Sequence, residues 1–292
     1  MPVVALISAV DGVGKTTLAT YLADRLLGSG DVLLVDLDPS AGLSVQLLGE
    51  EKVEELERSE RTIGHAMGRW LKLVERGEDV RSLNIDEYIE TVEMEGKAVS
   101  FLPGGDEFSN FMNDAMEKGL QREAIRKFLE DTGIVKRYSY VILDTVSFCE
   151  KFYTLAAFYA SDKVIIVTHP YSPEPARVKR MFRKLKAVLE LKGEASLLSQ
   201  KARILMNNVD DTRERDILEG RLKAKDKYRD LISLLEDKEL SQLLFRKYVP
   251  RTVKIATWRE KEEIKLGIKR SELKERFNEA LDDVLSWLRG DA

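Results

Sequence analysis

The apolar run VVALIS (3–8) passes without a linker into SAVDGVGKTT (8–17), whose last threonines open TTLATYLADRLL (16–27), a stretch with apolar residues at helical spacing. An apolar strand, a glycine turn and an amphipathic helix in direct succession confine the chain to folds in which a buried strand hands over to a helix. The same rhythm continues. VLLVDLD (32–38), AVSFLP (98–103), YVILDT (140–145), KVIIVT (163–168) and ARILMN (202–207) are short aliphatic runs, and a further strand is expected near FRKYVP (245–250). Their near-continuous hydrophobicity, in place of strict alternation, belongs to strands covered on both faces. REAIRKFLED (122–131), ARVKRMFRKLKAVLEL (176–191) and SELKERFNEALDDVLSWL (271–288) read as amphipathic helices. In the last, Leu273, Phe277, Leu281, Val284 and Leu288 form one apolar stripe. The expected class is α/β, a mostly parallel twisted sheet with helices on both faces.

No Pro/Gly-rich linker divides the 292 residues, so one domain over 1–292 is expected, with residues 49–97 helical in character and the charged stretch 211–239 an inserted helical pair. At 43% hydrophobic and 34% charged residues the chain has the make-up of a soluble globular protein. No apolar run approaches the roughly 20 residues of a membrane span. One cysteine, Cys149, excludes an intrachain disulfide framework and points to reducing cytoplasm. Two histidines, His65 and His169, cannot build a histidine-rich metal cage.

The glycine turn carries the chemistry. Gly12 and Gly14 let backbone N–H groups curl around phosphate oxygens, and the helix N-terminus favours the anion. In such a turn Lys15 can reach the β- and γ-phosphates and the Thr16 hydroxyl would ligate Mg²⁺. Ala9 stands where the strict G-x-x-x-x-G-K-[ST] pattern has its first glycine. Open parallel sheets bind ligands beyond the carboxyl ends of their strands, where Asp36, Asp38 and Asp144 close two apolar runs. A carboxylate there takes a Mg²⁺ water or positions the attacking water, or else caps the following turn.

SAVDGVGKTT, VLLVDLDPSAGLS, SFLPGGDEFSN, YSYVILDT, ILMNN and YVPRTVKI occur in an order and spacing that resembles the ParA/MinD family of deviant-Walker ATPases, over nearly the whole chain. The resemblance implies a P-loop NTPase fold and a nucleotide cradle of Asp11, Gly12, Val13, Gly14, Lys15, Thr16 and Thr17. It implies Lys15 and Asp38 in hydrolysis, with Thr16, Asp38 and Asp144 around the metal. Asn207 matches an adenine-contacting asparagine, and Pro250 and Arg251 fall in a loop near the base. ATP with Mg²⁺ is the implied cofactor. GTP stays open, because Asn207, Asn208, Val209 and Asp210 also resemble the guanine-reading N-K-x-D.

Two positions depart from the family. Relatives resembling K-G-G-V-G-K-T carry a lysine that reaches the nucleotide across a sandwich dimer, and here Val10 occupies its place, followed by Asp11. A valine cannot neutralise phosphate, so slow hydrolysis is expected, since a donated cation accelerates such reactions about 10³-fold or more. The D-G-x-G-K-T-T loop is also similar to that of thymidylate-type kinases, an alternative whose D-R-[YH] substrate motif is missing here. A nucleotide-gated switch with little hydrolysis is the non-enzymatic alternative.

The resemblance further implies a nucleotide-bound homodimer, non-specific DNA as partner and a ParB-like activator. Net charge is −4, so any DNA affinity needs a local basic patch. Arg246, Lys247, Arg251 and Lys254 around YVPRTVKI form one, and Arg177, Lys179, Arg180, Arg183, Lys184 and Lys186 a second on a helix. A MinD-like membrane role is disfavoured, because the C-terminal stripe is flanked by Asp282, Asp283 and Asp291, which anionic lipid repels. Relatives that bridge a metal cluster with paired cysteines are a poor match, because Cys149 stands alone.

Overall fold

Val3–Ser8 (β1) is buried along its whole length, and its alternate residues belong to two different cores. Val3, Ala5 and Ile7 face one helical layer while Val4 and Leu6 face the other, which is why the run reads as uniformly apolar. Each such buried aliphatic side chain contributes about 1.5–3 kcal/mol. The computed structural model describes residues 2–120, 122–147, 151–210, 213–220, 228–251, 256–260, 263–267 and 271–291.

After β1 come helix α1 (Lys15–Leu26), strand β2 (Val32–Leu37) and helices α2 (Gly42–Leu48), α3 (Glu50–Arg58) and α4 (Ile63–Arg76). The hairpin β3 (Glu90–Met94) and β4 (Lys97–Leu102) is followed by α5 (Glu107–Glu117), α6 (Ala124–Asp131) and α7 (Ile134–Arg137). Then β5 (Tyr140–Thr145), α8 (Lys151–Ala160), β6 (Lys163–Thr168), α9 (Glu174–Glu190), α10 (Ser196–Lys201) and β7 (Ala202–Met206) alternate. The chain closes with α11 (Arg213–Leu218), α12 (Arg229–Leu235), β8 (Ala256–Glu260), β9 (Glu263–Gly267) and α13 (Ser271–Arg289). Among the described residues nine strands form one sheet, in the order β7-β6-β1-β5-β2-β4-β3-β9-β8. The six strands from β7 to β4 are parallel, and antiparallel pairing is confined to β3–β4 and β8–β9.

The expected strands at 3–8, 32–38, 98–103, 140–145, 163–168 and 202–207 are present within a residue at each end. Two expectations need correction. The stretch 49–97 is helical only in part, because Val92 and Met94 are buried on one side of β3 and the Glu95–Gly96 turn, with φ of 49° and 75°, closes a two-residue hairpin onto β4. FRKYVP does not form a regular strand. It lies along the free edge of β7 through the isolated bridges Ile204↔Leu244 and Val209↔Pro250, and Pro250 has no N–H to continue a ladder. Within 211–239, α11 and α12 are helical, and residues 211–212 and 221–227 lie outside the described residues.

Helix α13 buries Phe277, Leu281, Val284 and Leu288 in the same core as α1, with the Phe277 ring edge-on to Tyr21 at 4.8 Å between centroids. The terminal apolar stripe is thus a packed face. Among the described residues no helix is long and apolar enough to cross a membrane.

Candidate nucleotide site

The carboxyl ends of β1, β2, β5, β6 and β7 converge on the turn between β1 and α1. Gly12 and Gly14 both adopt positive φ, 74° and 92°, which side chains with a Cβ rarely adopt. Gly14 has a second reason: a Cβ there would stand 2.5 Å from Asn207 Nδ2. Helix α1 starts at Lys15 with no side-chain cap, so its first N–H groups are left for an external acceptor. Lys15 is only 8% exposed, and its Nζ donates to Ser8 Oγ at 2.8 Å, while Ser8 Oγ donates to Val10 O at 2.6 Å. The loop is thereby tied to the last residue of β1.

Register explains the acidic side of the site. Asp144 is level with Leu6 on β1 and with Asp36 on β2, so two carboxylates sit side by side at the sheet edge. Thr16 Oγ1 donates to Asp144 Oδ2 at 2.7 Å, and Asp144 Oδ1 is buried with no hydrogen-bond partner. Burial pushes the Asp144 carboxyl up to about 7, helped by the neighbouring Asp36 charge and opposed by Thr16 and Lys15. Asp36 is fully buried and accepts from Asp38 N (3.0 Å), Ser44 N (2.9 Å) and Ser44 Oγ (2.7 Å). Those bonds make it the anchor of the β2–α2 turn, and burial still raises it to about 6. Gly104 lies against the same carboxylate, where a Cβ would come within 2.8 Å of Asp36 Cγ. Asp38 is half-buried, with Oδ1 accepting from Ser40 N and Ser40 Oγ at 2.9 and 2.8 Å.

The unpartnered, buried Asp144 oxygen beside the Thr16 hydroxyl is a hard-oxygen set that suits Mg²⁺. Among the described residues, no three His, Cys, Asp or Glu side chains are grouped to hold an ion unaided. A magnesium ion here would therefore complete its shell with oxygens from outside the chain, from water or a phosphate ligand.

On the other side of the glycine turn, Gly12, Val13, Gly14, Thr17, Leu18, His169, Asn207, Asn208, Val249, Pro250 and Phe277 enclose a cleft of about 190 Å³. Asn207 Nδ2 donates to Val13 O at 2.6 Å, and Asn207 Oδ1 accepts from Asn208 N at 2.9 Å, so the asparagine braces the turn. Gly14→Ala should therefore strain both backbone and brace and destabilise the fold by about 1–3 kcal/mol. Chemical denaturation checks this, and a wild-type midpoint would remove the argument for glycine.

The other expected residues divide. Pro250 lines the cleft; Arg251 is exposed, with Nη1 3.8 Å from Asp210 Oδ2. Asp11 is exposed outside the cleft lining, and Val10 is half-buried against the core that holds α1 and α13. Arg246 is exposed, whereas Lys247 is engaged by α13 through Asp283 (N–H donating, 3.0 Å) and Glu279 (Nζ donating, 2.8 Å). Lys254 lies outside the described residues. On α9, Lys179 binds Ser233 and Asp237 and Lys186 binds Glu239, while Arg177, Arg180 and Arg183 are exposed. Sequence reasoning missed Ser8, Ser44, His169, Val249 and Phe277. Phe277 was legible only as part of a core stripe, since nothing local reveals that the last helix reaches the loop.

The family model AAA_31, an AAA domain, matches residues 1–194. No curated protein matches the chain. Among solved structures, the fold is similar to cobyrinic acid a,c-diamide synthase from Mycobacterium smegmatis with bound ATP analogue and magnesium: 18% identity, 99% of this chain and 96% of that chain covered, TM-score 0.69. It is similar to a putative plasmid partition protein from Borrelia burgdorferi bound to AMPPNP, at 19% identity, 97% and 98% coverage and TM-score 0.63. It is also similar to pNOB8 ParA bound to nonspecific DNA, at 17% identity, 99% coverage of both chains and TM-score 0.66. With well over half its length matched, and with the glycine turn, strand-end carboxylates and parallel sheet in place, the chain belongs to the AAA domain family and has the ParA/MinD-like P-loop ATPase fold.

Proposed function

We propose that the protein is a ParA-like ATPase that binds Mg-ATP, dimerises in that state and holds DNA non-specifically to position or segregate it. The observation that carries this reading is the Thr16–Asp144 hydrogen bond beside Lys15, with a buried carboxylate oxygen that no hydrogen bond from the chain takes up. Lys15 stabilises charge on the phosphates, Thr16 and Asp144 hold the metal shell, and Asp38 aligns the attacking water. When bound, Mg²⁺ supplies charge neutralisation and orientation of the phosphate oxygens. Asn207, Pro250 and the apolar Val249 and Phe277 take the base. ATP is favoured over GTP by the ATP analogues in similar structures. The chain acts as one unit over 1–292, in the cytoplasm, with a ParB-like protein as activator.

Val10 favours a second reading, a nucleotide-gated switch in which hydrolysis is residual, because its side chain packs on the core and brings no charge to the loop. Calorimetry with Mg-ATP followed by single-turnover kinetics with and without DNA separates the two. Tight binding with a rate equal to buffer throughout selects the switch, and no magnesium-dependent binding rejects both.

For DNA, the exposed Arg246 and Arg251 are the better phosphate contacts. Arg246→Ala with Arg251→Ala should reduce the slope of log K against log salt by about 2, while Lys247→Ala, already paired with Glu279, should change it less. Salt-dependent anisotropy titrations measure this. An unchanged slope in the double variant rules the patch out.

A further inference from the structure

We propose that His169 donates a hydrogen bond from Nε2 to a phosphate oxygen of the bound nucleotide, in cis, from the cleft it shares with Gly12 and Gly14. The inference rests on the nucleotide reading of the cleft given above. Ser8 and Val167 are the last registered pair of β1 and β6, and two residues further along each chain come Val10 and His169. The imidazole lines the same cleft as Gly12 and Gly14. The glycine turn thus shares its cleft with a ring that can donate.

The neighbours of the ring decide which nitrogen carries the proton. Tyr171 Oη lies 2.6 Å from His169 Nδ1, and Asn208 Nδ2 lies 3.4 Å from the same hydroxyl. An amide nitrogen only donates, so the tyrosine oxygen accepts from Asn208 and its own proton points at Nδ1. Nδ1 is then the acceptor and Nε2 keeps its hydrogen. The Tyr171 ring also packs against the imidazole, 4.9 Å between centroids, and fixes its plane. Burial holds the His169 pKa below its usual 6.5, with Glu174 and Arg251 acting on it in opposite senses, so the ring is neutral at physiological pH. It offers a donor without a net charge, which suits holding a phosphate better than accelerating its transfer.

The chain has only two histidines, so long-range ¹H–¹⁵N spectra of the full-length protein resolve this ring against His65. Magnesium with AMPPNP should shift the His169 Nε2 resonance, and adenosine should leave it in place. His169→Ala should weaken Mg-AMPPNP binding about 10-fold, the loss of one hydrogen bond to a charged group, and weaken adenosine binding by less than about 3-fold. Tyr171→Phe keeps the ring contact but frees the tautomer, so its spectrum should show both tautomers and its affinity for Mg-AMPPNP should fall about 3-fold. This second variant, with the wild-type spectra, decides the matter if His169→Ala does not fold. Unchanged Mg-AMPPNP affinity in a folded His169→Ala overturns the proposal and leaves the nucleotide site standing. An adenosine shift equal to that of AMPPNP overturns it too, by assigning the ring to the base. A wild type that binds neither probe fails at the earlier step, the nucleotide reading itself.

Discussion

Lys15→Ala should lower Mg-ATP turnover by at least about 10²–10³-fold while leaving the fold intact. The expectation follows from how little else holds this side chain. It is buried at the mouth of the sheet, and its Nζ donates to the Ser8 hydroxyl, a partner that a phosphate oxygen replaces without breaking any core contact. Neither Val10 nor Asp11 takes over its charge, because Val10 is apolar and packed on the core and Asp11 carries the wrong sign. Truncation removes one of the two influences that hold Asp144 down, leaving that carboxyl harder to ionise as well. Single-turnover hydrolysis, alongside circular dichroism to show the fold, is the measurement. Turnover within threefold of wild type would mean that the glycine turn is not where phosphate binds.

Asp144→Asn carries the second large effect, and its sign depends on pH. The carboxyl sits near 3.8 when unfolded and is pushed up to about 7 in the fold, so the folded state takes up its proton more readily. The stability this contributes is complete below about pH 4 and is lost as pH rises through about 7. At pH 8 the ligand-free wild type therefore holds a buried anion. The asparagine removes it and keeps an acceptor for Thr16 Oγ1. The variant should be more stable than wild type at pH 8 by roughly 2–4 kcal/mol, with the gap closing towards pH 4. Mg-ATP should stabilise wild type at pH 8 and leave the variant nearly unmoved. Denaturant titrations at both pH values with and without Mg-ATP test this, and a variant less stable than wild type at pH 8 would refute the strained-carboxylate account.

Much of the fold was legible because strands buried on both faces are written as unbroken aliphatic runs. VVALIS, YVILDT and KVIIVT coincide with β1, β5 and β6 residue for residue. The hairpin at Glu90–Leu102 was not legible. Its first strand is half polar, and its turn is Glu-Gly, a weaker signal than Asn-Gly. The cleft shows the same division. Gly12, Gly14, Lys15 and Thr16 are local, so their chemistry was visible in ten residues. Asp36 was ambiguous until Ser44 and the backbone of Asp38 were seen to take up both its oxygens.

By itself the amino-acid order determined the parallel sheet, the glycine turn and the strand-end carboxylates, since each rests on residues within a few positions of one another. Tertiary structure alone decided that Asp144 stands beside Asp36, that Asn207 braces Val13 across 194 residues, and that His169 lines one cleft with Gly12 and Gly14. Those placements depend on the register between strands distant in the chain, and register is set by the packing of both sheet faces together, which no single segment encodes.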